Sequence, residues 1–345
     1  MTRDRSGMRS PKEGSLLEAS LAAVGAVSLA AASAWIVYSN LVIDHHLPLP
    51  AALPAQRATM HSRAAGQISY YVDRQAQGRP LVLVHSINAA ASAYEMSPLF
   101  YAYQNRRPVY ALDLPGFGFS ERSRRAYSPE LYTASLIEFL ESQVQEPADV
   151  IALSLGGEFV ARAALRRPEW FHTITLLSPT GFSGQAGGAR GSQQAGQNGL
   201  SRLLHPLFAF PLWSRPFYDL LTTRRSIRYF LEKSFFGPPP EELIEYAYLT
   251  AHQPGAEHAP LYFISGQLFT PQVRERVYQK VTVPTLVVYD RDNFTSFERL
   301  PDVLTANPYW SAARIAPTLG LPHFERLPEL VSVLERFWQE QTGRR

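Results

Sequence analysis

The chain has 345 residues, no cysteine and a formal net charge of +3. Without cysteine there is no disulfide framework, no thiolate metal site and no thiol nucleophile, and so small a positive charge does not suit a nucleic-acid partner. Apolar residues make up 46% and charged residues 18%, which describes a globular chain long enough for one large domain with an insertion.

The N-terminus differs from the rest. Residues 1–18 carry Arg3, Arg5, Arg9 and Lys12, and from Ala19 to Ile43 no residue is charged. A helix of that length crosses the roughly 30 Å hydrocarbon core of a bilayer, so residues 19–43 are expected to form a transmembrane helix. The nearest following basic residues are Arg57 and Arg63. The positive-inside rule therefore predicts a single-pass membrane protein with a cytoplasmic N-terminus and its globular part on the extracytoplasmic side. Trp35 and Tyr38 fall at the expected outer interface. A cleaved signal peptide, cut near Ala32–Ala34, is the alternative. Residues 44–60 include the proline-rich "HHLPLPAALPA", His45 to Ala55, and read as an extended spacer off the membrane. With no second ligand cluster nearby, His45 and His46 read as solvated histidines and not as metal ligands.

Beyond the spacer the pattern alternates. Strands are expected at Gln67–Asp73, Pro80–Ser86, Pro108–Asp113, Asp149–Leu153, Thr173–Ser178 and Pro284–Asp290. Helices are expected at Pro129–Gln143, where Leu131, Ala134, Leu136, Ile137 and Leu140 lie on or beside one face, and at Leu155–Arg166. A final amphipathic helix carries Leu327, Leu330, Leu334 and Phe337. Such alternation predicts an α/β domain with a mostly parallel, doubly wound sheet covered on both faces. Its halves are residues 61–180 and 281–345. Between them, residues 181–280 read as an insertion. Gly181–Gly199 is glycine- and glutamine-rich and is expected to be flexible. After it comes a helical cap dense in aromatics: Phe208, Phe210, Trp213, Phe217, Tyr218, Tyr229, Phe230, Phe235, Phe236, Tyr246 and Tyr248. These either wall an apolar site or pack the cap itself.

The stretch "DVIALSLGGEF", Asp149 to Phe159, runs from a buried strand through one serine into two glycines and a helix. A serine on a sharp strand-to-helix turn has its hydroxyl forced out above the sheet, where it can act as a nucleophile. Ala152 and Gly156, two before and two after, are small enough for strand and helix to approach. The helix N-terminus favours developing negative charge, and the Leu155 amide is a candidate oxyanion donor. The competing reading makes Ser154 an ordinary helix N-cap.

Five segments, taken in order, resemble the α/β-hydrolase family over roughly Gln67 to Trp338. They are "LVLVHSINAA", "ALDLPGFGFS", "LSLGGEFVARAALRRPE", "VPTLVVYDRDNF" and "GLPHFERLPEL". The resemblance implies an α/β-hydrolase fold and a nucleophile, acid and histidine in that order, with Ser154 as nucleophile and His323, on the loop before the last helix, as base. The strand ending in "YDRDNF" lacks the family's usual glycine, so either Asp290 or Asp292 aligns as the acid; Asp292, further past the strand end, has the better reach. The second oxyanion donor implied is the Ile87 amide, on a loop where Ser86 replaces the usual glycine. Asn88 is either an added donor or a turn residue. His85, His172 and Asp113 read as structural.

The activity implied is that of a serine hydrolase, cleaving a carboxylic ester or related acyl bond of a small, hydrophobic substrate through an acyl-enzyme on Ser154. Carbon–carbon bond hydrolysis and perhydrolysis are alternatives on the same triad, as is a catalytically dead, membrane-tethered binding protein. No metal and no organic cofactor is implied.

Overall fold

The computed structural model describes residue 28, residues 30–184 and residues 199–343. Among these residues one eight-stranded sheet forms the centre, in the order β1-β2-β4-β3-β5-β6-β7-β8. The strands are β1 (Gln56–Ser62), β2 (Gly66–Asp73), β3 (Leu81–Val84), β4 (Val109–Leu112), β5 (Ala148–Leu153), β6 (Phe171–Leu177), β7 (Thr285–Tyr289) and β8 (Trp310–Arg314). β2 is antiparallel to both β1 and β4, and every other pairing is parallel.

The central strands are short, apolar and buried along their whole length, as strands covered on both faces must be. Their two-residue period splits the core. Val82 and Val84 pack with α2 (Pro129–Phe139) and α3 (Gly156–Arg166) on one face. Leu81 and Leu83 pack with α1 (Ser97–Tyr103) and the C-terminal helix on the other. Ser128 caps α2 by accepting the Leu131 N–H, and past Phe139 the helix widens into a π-turn over Leu140–Val144.

The six expected strands are all present, with ends shifted by at most two residues. β1 and β8 were not expected. Both are edge strands, and their polar, half-exposed residues blur the alternation that marks a strand. β1 begins inside the stretch read as spacer. The preceding residues are also not free of the protein. Leu47 O accepts from Gln253 Nε2 (2.7 Å), Pro50 O from Tyr246 Oη (3.0 Å), and Ala52 N–H donates to Tyr71 Oη (2.9 Å). A proline lacks an N–H but keeps its carbonyl, so an extended proline-rich segment is a good acceptor for side chains beside it.

The expected Ala19–Ile43 span falls only partly inside the described residues. Residues 30–41 are helical, and residues 19–27 and 29 lie outside. Among the described residues no helix is long and apolar enough to cross a membrane. Most of Gly181–Gly199 also lies outside, at residues 185–198. Six described α-helices fill the insertion between β6 and β7: α4 (Gly199–Phe208), α5 (Ser214–Leu221), α6 (Arg224–Glu232), α7 (Glu241–Ala251), α8 (His258–Ile264) and α9 (Val273–Arg276). Three more follow: α10 (Leu300–Ala306), α11 (Pro322–Glu325) and the C-terminal α12 (Leu327–Thr342).

The loop after β4 sets a strict steric condition. Asp113 accepts the N–H groups of Ala93 and Phe119, each at 2.9 Å, and so holds its own turn. Gly118 has φ +52°, and a Cβ there would stand 1.9 Å from Asp113 Oδ1. Gly118→Ala should therefore lower the unfolding free energy by about 1–3 kcal/mol. Denaturant titration of the two proteins measures this; equal midpoints would show that the turn has room to spare.

Candidate active site

Ser154 lies between β5 and α3 in a left-handed backbone conformation, φ +50°. Its N–H donates to Leu177 O on β6 (2.9 Å), and its carbonyl accepts from Gly157 N (3.0 Å). Left-handed backbone is costly for a residue with a Cβ, so these bonds hold a turn the chain would not adopt alone. The helix starts after the serine, at Gly156 with Leu155 in the N-cap position, and no side chain caps it. Ser154 is therefore not an N-cap, and its hydroxyl, partly exposed, has no hydrogen-bond partner among the described residues.

Gly156 explains how close the neighbouring loop comes. A Cβ on Gly156 would stand 2.5 Å from His85 O, so only glycine lets α3 start against the end of β3. Ala152, fully buried and paired with Val84, provides the second small position. The N–H groups of Leu155 and Ile87 have no partner among the described residues, as donors reserved for an oxyanion would.

The β3 loop is held by side chains. His85 Nε2 accepts the Leu114 N–H (2.9 Å) and Nδ1 donates to Ser86 O (2.5 Å). Burial lowers its pKa to about 4, partly offset by the bond to Ser86. A neutral histidine with both nitrogens engaged is structural. Ser86, where glycine was expected, does not adopt left-handed backbone, and its N–H is received by Glu95 Oε2 (2.9 Å). Asn88 is used up in the same loop, donating to Ser86 Oγ and Glu95 Oε1 and accepting the Ala90 N–H. On the far edge of the sheet, His172 and Arg107 both meet Asp149, at 2.7 and 2.5 Å, a buried structural cluster.

The two candidate acids differ in their partners. Asp290 accepts from Arg314 Nε (2.7 Å) and from Thr318 N (2.9 Å), which commits both its oxygens to the chain around β8. Asp292 Oδ1 accepts from Phe294 N (2.7 Å). Its Oδ2 faces the histidine loop, where a Cβ on Gly320 would lie 2.9 Å away. Burial raises Asp292 to about 6 against the bonds from Phe294 and Thr295.

His323 is fully buried. Its Nε2 lies 2.8 Å from the carbonyl of Glu95, and its Nδ1 has no partner. A carbonyl only accepts, so Nε2 carries the proton and Nδ1 the lone pair. Burial lowers this ring to about 4, partly offset by the Glu95 bond. His323 thus makes no hydrogen bond to Ser154, Asp290 or Asp292. The carboxyl ends of β5, β7 and β8 bring the three loops to one edge of the sheet, but hydrogen bonds do not link the three residues in this arrangement.

Two acidic residues that the motifs did not single out organise the region. Glu95 joins the Ser86 loop to His323. Glu158, one helical turn after Ser154, accepts from Thr180 Oγ1 (2.5 Å) and Thr270 N (2.7 Å). Thr180 follows β6 and Thr270 follows α8, so one buried carboxyl holds both legs of the insertion to α3. The available signal was a charge inside otherwise small and apolar runs, "NAAASAYEM" and "LGGEFV".

The insertion rests on the site loops. Tyr218 Oη donates to Ala89 O (2.6 Å), Ala251 and Ala256 pack near Ala89 and Ala90, and Phe235 meets Phe324 with ring centroids 5.6 Å apart. Asn293 Nδ2 donates to Lys233 O (2.7 Å). It therefore touches the loops carrying Ile87, Asp292 and His323. Among the described residues no three His, Asp or Glu side chains are arranged to hold a metal ion.

A family model described as "Alpha/beta hydrolase family" matches residues 81–332. The chain is 32% identical over 136 residues to an uncharacterized hydrolase, YugF, of Bacillus subtilis, covering 39% of this chain and 48% of that protein. It is 28% identical over 110 residues to the 2-hydroxymuconate semialdehyde hydrolase of Pseudomonas putida, covering 32% and 39%. It thus spans about half or less of these curated relatives. Among solved structures, a meta-cleavage product hydrolase from Pseudomonas fluorescens IP01 superposes with a TM-score of 0.63 at 15% identity, covering 82% of this chain and 97% of that one. A thermophilic esterase from Thermogutta terrifontis gives a TM-score of 0.63 at 16% identity, covering 83% and 99%. At these identities the structures speak for the fold.

Burial raises the Glu158 carboxyl from 4.5 to about 7, only partly countered by the bonds from Thr180 and Thr270. Between those pH values the folded chain keeps a proton that the unfolded chain has released. The stability Glu158 contributes is thus fully present below pH 4.5 and is lost as pH rises through 7. Glu158→Gln cannot ionise. Its unfolding free energy relative to wild type should rise by on the order of 3 kcal/mol across this window. Denaturant unfolding at a series of pH values tests it, and a pH-independent difference would refute the assignment.

Proposed function

The chain belongs to the alpha/beta-hydrolase family, and on that premise we propose that it is a serine hydrolase acting on a carboxylic ester or related acyl bond. The observation that carries this reading is the left-handed turn at Ser154, which leaves a serine hydroxyl uncapped above the sheet beside the free Leu155 N–H. In the proposed reaction Ser154 Oγ attacks the acyl carbon and passes its proton to His323 Nε2. The N–H groups of Leu155 and Ile87 receive the developing oxyanion. His323 then protonates the leaving group, and water, deprotonated by the same ring, releases the acyl group from Ser154.

For this, His323 must give up its bond to Glu95 O and carry its proton on Nδ1, which is now unpartnered. Asp292 is the proposed acceptor of that proton's hydrogen bond, since Asp290 is engaged by Arg314 and Thr318. The aromatic insertion resting on the three loops supports a small, hydrophobic acyl substrate. Carbon–carbon bond hydrolysis is the second reading. The names of the Pseudomonas relatives favour it, and the same serine, histidine and oxyanion donors would serve. The membrane reading is also a proposal. It rests on the uncharged Ala19–Ile43 run and the basic residues before it, and it sets the sheet domain on the extracytoplasmic side.

Wild-type protein should react with a fluorophosphonate probe and hydrolyse p-nitrophenyl acyl esters faster as the chain lengthens, whereas Ser154→Ala should lose both labelling and turnover while remaining folded. A folded, unlabelled wild type would point to a catalytically dead binding protein. Turnover of 2-hydroxymuconate semialdehyde without ester hydrolysis would favour the second reading. On whichever substrate is turned over, Asp292→Asn should lower kcat by orders of magnitude and Asp290→Asn far less. Steady-state kinetics of both variants decide, and the reverse ranking would make Asp290 the acid.

A further inference from the structure

The insertion has an apolar outer face that its own packing does not use. Of its aromatics, Tyr218, Phe235 and Tyr246 are buried, but Phe210, Tyr229, Phe230 and Phe236 are exposed. On α4, α5 and the turn between them, Leu207, Phe210, Leu212 and Leu220 are each close to half exposed. The sequence from Leu203 to Ser214 holds no aspartate, glutamate, lysine or arginine.

The helix at residues 30–41 is fastened beside this face. Trp35 Nε1 donates to Pro216 O (2.8 Å), Ser39 Oγ donates to Asp219 Oδ2 (2.6 Å), and His45 Nε2 lies 3.0 Å from the same oxygen. Ser39 and Asp219 are buried. The fastening uses the segment's polar side chains and leaves its apolar ones outside: Val37 is 56% and Leu41 79% exposed. Residues 30–34 are exposed throughout, so the helix leaves the protein surface there.

We propose that the α4–α5 face, with Val37 and Leu41 beside it, is a membrane-docking surface that lies against the lipid bilayer. This rests on the reading of Ala19–Ile43 as a membrane anchor. Continuity of the chain selects the occupant. The uncharged run reaches the protein at α5, and the proline-rich segment adds no slack, because Leu47, Pro50 and Ala52 are all hydrogen-bonded to the protein. A bilayer holding the part of the run before Trp35 therefore meets α4 and α5 directly. The stacked rings of Trp35 and Tyr38, 5.7 Å apart, suit the headgroup level, and apolar side chains gain by leaving water at such an interface. A second copy of the chain would cover the same leucines but would not account for that continuity.

The chain has no cysteine, so single cysteines can report depth. Leu212→Cys, Leu220→Cys and, as a control, Glu146→Cys are labelled with an environment-sensitive fluorophore in the full chain and reconstituted into phospholipid vesicles carrying brominated acyl chains. Glu146 is exposed just before β5, at the opposite edge of the sheet. Labels at 212 and 220 should be quenched several-fold by the brominated lipid, and the label at 146 should not. Vesicle-bound chain with all three labels equally unquenched would keep the anchor and overturn the docking. Labels shielded from aqueous iodide yet untouched by bromolipid would put a second copy on this face and also overturn it. Chain that does not float with the vesicles would overturn the anchor reading and the docking with it, by a separate readout.

Discussion

The carboxyl edge of the sheet depends on one strained turn. Left-handed backbone at a serine costs on the order of 1–3 kcal/mol, and it persists here because three neighbours fix it together. Leu177 O takes the Ser154 N–H, Gly157 returns a bond to the Ser154 carbonyl, and the bare Cα of Gly156 sits against His85 O. From that turn follow the uncapped hydroxyl, the free amide of Leu155 and the close approach of the β3 loop with Ile87. A capping serine in extended backbone, as at Ser128, would have spent its oxygen on the helix.

Around this turn, buried carboxyls act as joints. Glu95 receives Ser86 and Asn88 with its side chain and His323 with its backbone carbonyl, so the loop after β3 and the histidine are tied through one residue. Glu158 ties both legs of the insertion to α3. Burial pushes both carboxyls up, and in each case hydrogen bonds to the ionised form pull the other way. Glu95 thus joins two loops that bear candidate site residues, and Glu158 joins the insertion to the helix that follows Ser154.

His323 shows the same competition in a basic group. Removed from water, it is held neutral, with its proton on the nitrogen that faces Glu95. The free lone pair on Nδ1 is an unmet hydrogen-bonding group in the interior, which is expensive to keep. Asp292 Oδ2 faces Gly320, on the histidine's own loop, where an added Cβ would stand 2.9 Å away.

The sequence by itself determined the alternation of buried strands and helices, the serine turn, the order of the candidate triad and the uncharged N-terminal run, because each is written in local periodicity or in residue type at short spacing. It could not yield β1 and β8, whose edge positions expose half of each strand, nor the docking of the proline-rich segment, whose backbone groups meet side chains 19 or more residues away in Tyr71, Tyr246 and Gln253. The partners of Glu95, Glu158, Asp290 and His323 were equally out of reach. A hydrogen bond between distant segments is settled only when folding brings them within about 3 Å, and nothing local to either residue records which partner arrives. Tertiary structure alone decided that Asp290 is engaged by Arg314 and Thr318 while Asp292 is held by its own turn, and that the insertion turns its apolar face outward beside the chain that enters it.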